Sequence, residues 1–215
     1  MPSLPRAPNR PLRGSPGFVN TVHPVDDLRT RIARAAQDLF LAGGVEAVSM
    51  RKVAESVGVT APAIYRHFRD KEDLLDEIIR SGLAILDDYL RPAFDAATPE
   101  ARLVRLIDRY LDFALEQPRY FDFAFLVPSR SISPMSDEIA RQGMETFGFA
   151  LEQVGLCMAQ GMFKKDDPVE TAILIWAEVH GLVTLFKMKR FGPDEEEFRR
   201  VYRGAVDRLL RGLRT

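Results

Sequence analysis

The chain has 215 residues, of which 46% are hydrophobic and 28% are charged, with a formal net charge of −1. This balance is typical of a soluble globular protein whose core is large enough to fold without disulfide bonds. A single cysteine, Cys157, excludes an internal disulfide framework, and the three histidines are too far apart for a local metal-binding motif. We expect no metal ion and no cofactor. The apolar runs are shorter than a membrane span, so we expect a cytoplasmic protein without membrane association.

The charge is unevenly divided along the chain. Residues 1–69 contain ten Lys and Arg against five Asp and Glu, whereas residues 70–215 contain 20 against 26. A basic N-terminal part indicates contact with a polyanion, although chance clustering gives the same imbalance. Residues 1–24, with six prolines, three arginines and no acidic residue, predict a disordered arm that either contacts the polyanion or is a solvated tail.

From residue 25 onward, apolar residues recur at helical spacing and no alternating strand pattern is sustained. We therefore predict an all-α fold of about nine helices. Acidic residues near helix starts and basic residues near helix ends fit the helix dipole. The predicted helices cover about 26–42, a short segment after each of Ser49 and Thr60, which are the expected N-caps, then 70–91, 99–116, a short aromatic segment after Pro118, 134–155, 168–190 and 194–213.

Residues 49–69, SMRKVAESVGVTAPAIYRHFR, predict two short helices joined by a tight turn at Gly58. This pattern is typical of a helix-turn-helix, whose second helix enters the major groove of DNA. The alternative is an ordinary helical hairpin with a solvated face. Under the first interpretation, the DNA contacts are small or hydrogen-bonding residues near the second helix and residues that reach phosphates. These candidates are Ser49, Arg51, Thr60, Ala61, Pro62, Ala63, Tyr65, Arg66, His67 and Lys71.

The stretch from Thr30 to Leu75 resembles the DNA-binding domain of the TetR (tetracycline repressor) family of transcriptional regulators. The matching pieces are RIARAAQDLFLAGG, VSMRKVAESVGVT, APAIYRHF and KEDLL. The resemblance implies a dimeric repressor that leaves a palindromic operator when a small molecule binds its C-terminal part. After the arm over 1–24 that the composition predicts, we expect a DNA-binding domain over 25–70 and a helical ligand-binding and dimerisation domain over 71–215.

Two other function classes compete with this hypothesis. A helical dimer that binds a protein partner or a lipid-like ligand, without sequence-specific DNA recognition, is the alternative. An enzyme is not expected, because the sequence contains neither a G-x-S-x-G motif nor a phosphate-binding glycine loop.

Residues 175–183, IWAEVHGLV, resemble the Trp-x-x-x-His-Gly motif of one type of TetR-family C-terminal domain. Trp176 and His180 share a helix face, and His180 is either a hydrogen-bonded core residue or a ligand-reading one. A surplus of aromatic and methionine residues indicates a core, alone or with a pocket for a small hydrophobic or aromatic effector. The predicted pocket residues are Phe113, Phe121, Phe125, Met144, Phe147, Leu151, Trp176 and His180.

The two predicted C-terminal helices carry apolar residues on more than one face. A single domain core normally buries one stripe of a helix, so a second buried face predicts a homodimer joined as a four-helix bundle. The alternative is a monomer whose last helices close its own core. The predicted interface residues are Ile175, Val179, Leu182, Val183, Phe186, Phe198, Tyr202, Val206 and Leu209.

Overall fold

In the computed structural model, the described residues are 27–126, 137–192 and 194–215, and for 137–144 only the backbone is described. This part of the chain forms nine α-helices and no β-strand, which confirms the predicted all-α class. The helices are α1 (Leu28–Gly43), α2 (Met50–Val57), α3 (Ala61–Tyr65), α4 (Lys71–Leu90), α5 (Pro99–Glu116), α6 (Pro118–Phe125), α7 (Asp137–Ala159), α8 (Pro168–Lys187) and α9 (Glu195–Leu213). The predicted arm over 1–24 lies outside the described residues, and the domain boundary at residue 70 stays a prediction.

Side-chain caps fix most of the helix starts. Asp27, Asp70 and Asp194 each accept a hydrogen bond from the backbone N–H three residues on, at 2.8, 2.8 and 3.0 Å. Ser49 caps α2 in the same way, through the N–H of Lys52 at 3.3 Å. Each cap satisfies a backbone donor that the first turn of a helix leaves unpaired.

Two helix ends differ from the prediction for backbone reasons. α8 ends at Lys187 rather than at 190, because Lys189 adopts a left-handed backbone with φ of 57°. α7 continues to Ala159 rather than 155, and the turn that follows it contains Gly161 with φ of 72°. Neither change alters the order of the elements.

Helices α1, α2 and α3 pack around one small apolar core and are called here the helix-turn-helix unit. The buried residues of this core are Ile32 and Phe40 of α1, Val53 of α2, Ile64 of α3 and Phe68 just after α3. The core continues without a break into α4, whose Glu77 pairs with Arg29 of α1 at 2.9 Å. The unit is therefore seated on the first half of α4.

Helix α6 lies between α4 and α1. Gly82 of α4 permits this approach, because a Cβ atom there would lie 2.8 Å from Cδ1 of Tyr120. The ring of Tyr120 is 5.7 Å from that of Phe40 on α1, and the ring of Phe123 is 5.0 Å from it. Helix α6 thereby joins the helix-turn-helix unit to the rest of the chain.

Helix α9 closes the C-terminal part against α5 and α8. The Tyr202 hydroxyl donates to the backbone oxygen of Ile107 at 3.0 Å. Arg199 pairs with Asp112 of α5 at 2.6 Å, and the Phe198 ring stacks on Phe186 of α8 at 4.1 Å. These contacts bury one face of α9 inside its own chain.

The close packing at Gly82 predicts a stability change that opposes helix propensity. Gly82→Ala should lower the free energy of unfolding by about 1 kcal/mol, because overpacking costs roughly 1–3 kcal/mol while alanine favours the helix by about 1 kcal/mol. Denaturant unfolding measures the change. The control is Gly155→Ala in α7, where a Cβ atom meets nothing within 4 Å and stability should rise. A Gly82→Ala variant as stable as that control would contradict the packing described.

Candidate DNA-binding surface and ligand cavity

Helices α2 and α3 are joined by a turn that depends on Gly58. Its φ of 76° and ψ of 35° lie in the left-handed region, where a Cβ atom is unfavourable. Its N–H donates to the backbone oxygen of Ala54 at 3.0 Å and so ends α2. With Val53 and Ile64 fully buried, α3 is held at a fixed angle and its outer side faces solvent.

None of the predicted DNA contacts is fully buried. Tyr65 is 53% exposed. The exposed members of the set are Arg51, Thr60, Pro62, Tyr65 and Arg66, and the half-buried members are Ser49, Ala61, Ala63, His67 and Lys71. We call these ten positions, which lie at the start of α2, on and beside α3 and at the start of α4, the α3 surface.

Thr60 does not cap α3 through its side chain, contrary to the sequence-based expectation. It occupies the N-cap position, but its hydroxyl accepts no hydrogen bond from the helix. The reason is local: Pro62 has no N–H, and the N–H of Ala63 donates to the backbone oxygen of Thr60 at 2.9 Å. The Thr60 hydroxyl is consequently not consumed by the backbone of α3.

Two arginines of α1, missed by sequence reasoning, brace the helix-turn-helix unit. Arg29 donates to the backbone oxygen of His67 at 2.8 Å, and its guanidinium lies 4.4 Å from the ring centre of Phe68. Arg31 donates to the backbone oxygen of Val57, at the C-terminal end of α2, at 2.9 Å. An arginine that hydrogen-bonds to a neighbouring element and an arginine that faces only solvent both lie on the polar face of an amphipathic helix. The sequence therefore does not distinguish the two cases.

A cavity of about 570 Å³ lies in the C-terminal part of the chain. Its walls come from α4, α5, α6, α7 and α8 and are almost wholly apolar. The lining residues are Ile79, Leu83, Leu86, Leu90, Leu103, Leu106, Ile107, Tyr110, Ala124, Phe125, Thr146, Phe147, Ala150, Val154, Ala172, Ile173, Ile175, Trp176 and Val179. Among these described residues no side chain carries a charge.

The polar groups of the cavity wall have partners inside the protein. The Tyr110 hydroxyl shares a 2.8 Å hydrogen bond with Nδ1 of His180, and the Thr146 hydroxyl donates to Asp87 at 2.9 Å. Burial raises the pKa of Tyr110 well above its usual value, against the opposing effect of a hydrogen bond from Trp176. Burial also lowers the pKa of His180, so both groups are neutral near pH 7.

The cavity overlaps part of the predicted pocket set. Phe125, Phe147 and Trp176 line it. Phe113 and Phe121 do not; their rings pack against each other between α5 and α6, with centres 6.5 Å apart. Neither Leu151 nor His180 lines it: Leu151 is half-buried against the core, and the His180 ring stacks on Phe121 at 5.5 Å, behind the wall. The side chain of Met144 lies outside the described residues.

The lining residues that sequence reasoning missed are the branched aliphatic side chains of α4 and α5, such as Leu83, Leu86 and Leu103. Leucines that border a cavity and leucines that fill a core have the same helical spacing. No signal in the sequence distinguishes them.

The residues predicted for a subunit interface face mostly inward. Ile175, Val179, Val183, Phe198, Tyr202 and Val206 are buried within the chain, and Leu182, Phe186 and Leu209 are half-buried against the same core. These side chains contribute to the chain's own core. Exposed apolar side chains that do not line the cavity remain at Val169, Leu174 and Leu185 on α8, at Met188 just after it and at Val201 on α9, and we call this set the outer apolar face.

Comparisons with known proteins agree with this architecture. Residues 32–78 match the family model described as bacterial regulatory proteins, tetR family, and residues 103–209 match a tetracyclin repressor-like C-terminal domain. The Transposon Tn10 TetC protein of Escherichia coli is 23% identical over 80% of this chain and 87% of its own length. YobS of Bacillus subtilis, an uncharacterized HTH-type transcriptional regulator, is 25% identical over 61% and 71%.

Two solved structures share the fold. PfmR of Thermus thermophilus, a TetR family transcriptional regulator, is 25% identical, with a TM-score of 0.65 over 86% of this chain and 100% of that one. A protein of unknown function from Rhodococcus sp. RHA1 is also 25% identical, with a TM-score of 0.76 over 91% and 100%.

The fold and the α3 surface therefore define a DNA-binding transcriptional regulator of the helix-turn-helix class. The chain belongs to the TetR family, whose members are soluble, non-enzymatic regulators that respond to ligands. This confirms the predicted family and the prediction of a ligand-responsive DNA-binding regulator, and does not favour the alternative without DNA recognition. Helix α8 is long and apolar enough to cross a membrane by length and composition alone, which is weak evidence for a span.

Proposed function

We propose that this protein is a homodimeric cytoplasmic repressor that is released from a palindromic operator by a small hydrophobic molecule. The observation that carries the proposal is that one helix, α6, contacts both the cavity and the helix-turn-helix unit. Phe125 of α6 lines the cavity, while Tyr120 and Phe123 of the same short helix pack on Phe40 of α1.

The α3 surface supports major-groove recognition. Ala61 and Ala63 are small enough to let the helix backbone approach base edges, and the Thr60 hydroxyl is available to a base or a phosphate. Tyr65 and Arg66 are exposed beside them, within reach of the DNA backbone. Lys71 begins α4, where its charge adds to backbone amides that favour a phosphate.

A path from the cavity to the DNA-binding side supports ligand response. Arg119 at the start of α6 donates to the backbone oxygen of Ala42, at the end of α1, at 3.3 Å. A ligand that moves Phe125 moves the helix that carries Arg119 and Tyr120, and so biases the placement of α1. Release then follows from unequal affinity of the ligand for the two arrangements.

The outer apolar face supports the homodimer. Leu174 is 51% exposed and Leu185 43% exposed in the single chain, which is typical of a surface that a partner covers. A Cβ atom at Gly181 meets nothing within 4 Å, so a second helix has room to approach there. Two recognition helices spaced about 34–36 Å apart would read a palindrome, whereas one short helix reads few bases.

We further propose that the C-terminal part is of the Trp-x-x-x-His-Gly type. The rings of Trp176 and His180 lie 5.7 Å apart, next to the hydroxyl of Tyr110. The motif then serves a structural purpose, in which His180 fixes Tyr110 and Trp176 forms the wall.

Substitutions on the α3 surface test DNA recognition. Tyr65→Phe should weaken binding roughly tenfold on every sequence, because a hydrogen bond to a charged group contributes about 1.5–3 kcal/mol. Lys71→Ala should lower the slope of log affinity against log salt by about one unit. Thr60→Val should instead change which duplex is preferred. The measurement is fluorescence anisotropy with a duplex that the protein selects from a random library.

The control for these variants is Lys165→Ala, which removes an exposed lysine between α7 and α8. It should leave both affinity and salt slope unchanged. If Tyr65→Phe and Lys71→Ala also bind as the parent does, while remaining folded, the assignment of the α3 surface is wrong.

The outer apolar face predicts the oligomeric state. Light scattering on a sizing column should give the mass of two chains for the parent protein. Leu174→Arg should give the mass of one, because two charges brought together in an apolar seam lose their hydration. Leu41→Arg, at an exposed leucine of α1, should remain a dimer. A parent protein with the mass of one chain would refute the dimer.

A further inference from the structure

We propose that the cavity binds an uncharged, mainly hydrocarbon molecule of about twenty non-hydrogen atoms, and that it discriminates against carboxylates, phosphate esters and ammonium compounds. The proposal rests on the proposed function, since it assigns a ligand class to the same cavity. It follows from three observations: the chemistry of the wall, the state of its polar groups, and the volume.

The described part of the wall offers no counter-charge. Of these lining residues, all are apolar except Tyr110, Thr146 and Trp176, which has an indole N–H. An ionised group buried against such a wall loses its hydration and gains no opposite charge in return, which is unfavourable in a low-dielectric site. Apolar surface, in contrast, is favourable to bury there.

The polar groups of the wall are already engaged with one another or with neighbours. Tyr110 is held by His180, and Thr146 by Asp87. A ligand with one neutral oxygen can share the Tyr110 hydroxyl, but no cluster of donors among the described lining residues stands ready to hold a carboxylate. Because burial keeps His180 neutral, that histidine supplies no positive charge behind the wall.

Charged groups next to Thr146 face a separate cleft. Asp87 does not line the cavity; it lines a smaller cleft of about 240 Å³ with Arg91, Glu145 and Thr146. Arg91 is exposed and pairs with Asp88 at 2.7 Å. An ion that used these groups would bind in the cleft and not in the cavity.

The volume indicates the approximate size of the ligand. A cavity of about 570 Å³ has room for about twenty water-sized groups at roughly 30 Å³ each. It falls within the range of about 300–1,000 Å³ found for small-molecule sites. The aromatic side chains of Phe125, Phe147 and Trp176 lie at one side, so a two-ring aromatic compound is a suitable probe.

Five naphthalene derivatives that differ in charge test the proposal on the full chain. The probes are naphthalene, 2-naphthol, methyl 2-naphthoate, 2-naphthoate and (2-naphthylmethyl)ammonium at pH 7, measured by calorimetry and by the shift in Tm. The three neutral compounds should bind at least tenfold more tightly than either ion. Methyl 2-naphthoate against 2-naphthoate is the sharpest pair, because only the charge and one methyl group differ.

Two variants show whether binding occurs in the cavity. Ala150→Phe fills it from α7, and Ala172→Leu fills it from α8 should the first variant fail to fold. Either should lower the affinity for 2-naphthol at least tenfold. The matched control is Ala84→Phe, at an exposed position of α4 that does not line the cavity, which should bind as the parent does.

The outcomes separate this inference from the proposed function. Tighter binding of 2-naphthoate or of the ammonium compound overturns the ligand class, as does failure of all three neutral probes to bind up to their solubility. If a neutral probe binds in the cavity without weakening operator binding, the ligand class is supported and the release mechanism fails. If only an ion releases the operator, the release mechanism is supported and the ligand class fails.

Discussion

The packing of Tyr120 between Gly82 and Phe40 is the constraint on which the arrangement of the two halves depends. Tyr120 can occupy this position only because residue 82 has no side chain, since a Cβ atom would lie 2.8 Å from the tyrosine ring. With Tyr120 in place, α6 is fixed against both α4 and α1. A close-packed contact of this kind transmits displacement, because protein interiors have few voids to absorb it.

The same helix forms part of the cavity wall, so the proposed mechanism links the occupied volume to the position of α1 through α6. Phe125 lies less than two turns from Tyr120 on α6, and α1 in turn holds the helix-turn-helix through Arg29 and Arg31. A ligand need not touch the α3 surface to change its placement. The neutral described wall and its engaged polar groups suit a site in which burial of apolar surface supplies the binding free energy. The close packing at Gly82 suits a mechanism in which occupation of that site displaces α6.

Local chemistry made much of the molecule predictable from the sequence. The carboxylate caps at Asp27, Asp70 and Asp194 and the glycine turn at Gly58 act within a few residues, and so does the spacing that defines the helix-turn-helix. These features set the helices and the recognition surface before any tertiary contact is considered.

The features that the sequence left undetermined depend on how helices rotate against one another. Helix α8 is apolar nearly all round, so its periodicity does not say that Val179 and Val183 turn inward while Leu174 stays outside. Phe121 and Phe125 are one turn apart and chemically identical, yet one is core and the other lines the cavity. That difference arises from the space that α4 and α5 leave open, which no local pattern encodes.

The central claim is that occupation of the cavity and binding of DNA are coupled through α6, and reciprocal affinity tests it most directly. Calorimetry would measure the affinity of 2-naphthol for the free protein and for the protein saturated with its selected duplex. Linkage requires that the duplex lower the affinity for 2-naphthol by the same factor by which 2-naphthol lowers the affinity for the duplex. We expect a drop of roughly 5- to 150-fold, the usual range of such coupling. Equal affinity of 2-naphthol for the free and the DNA-bound protein would contradict it.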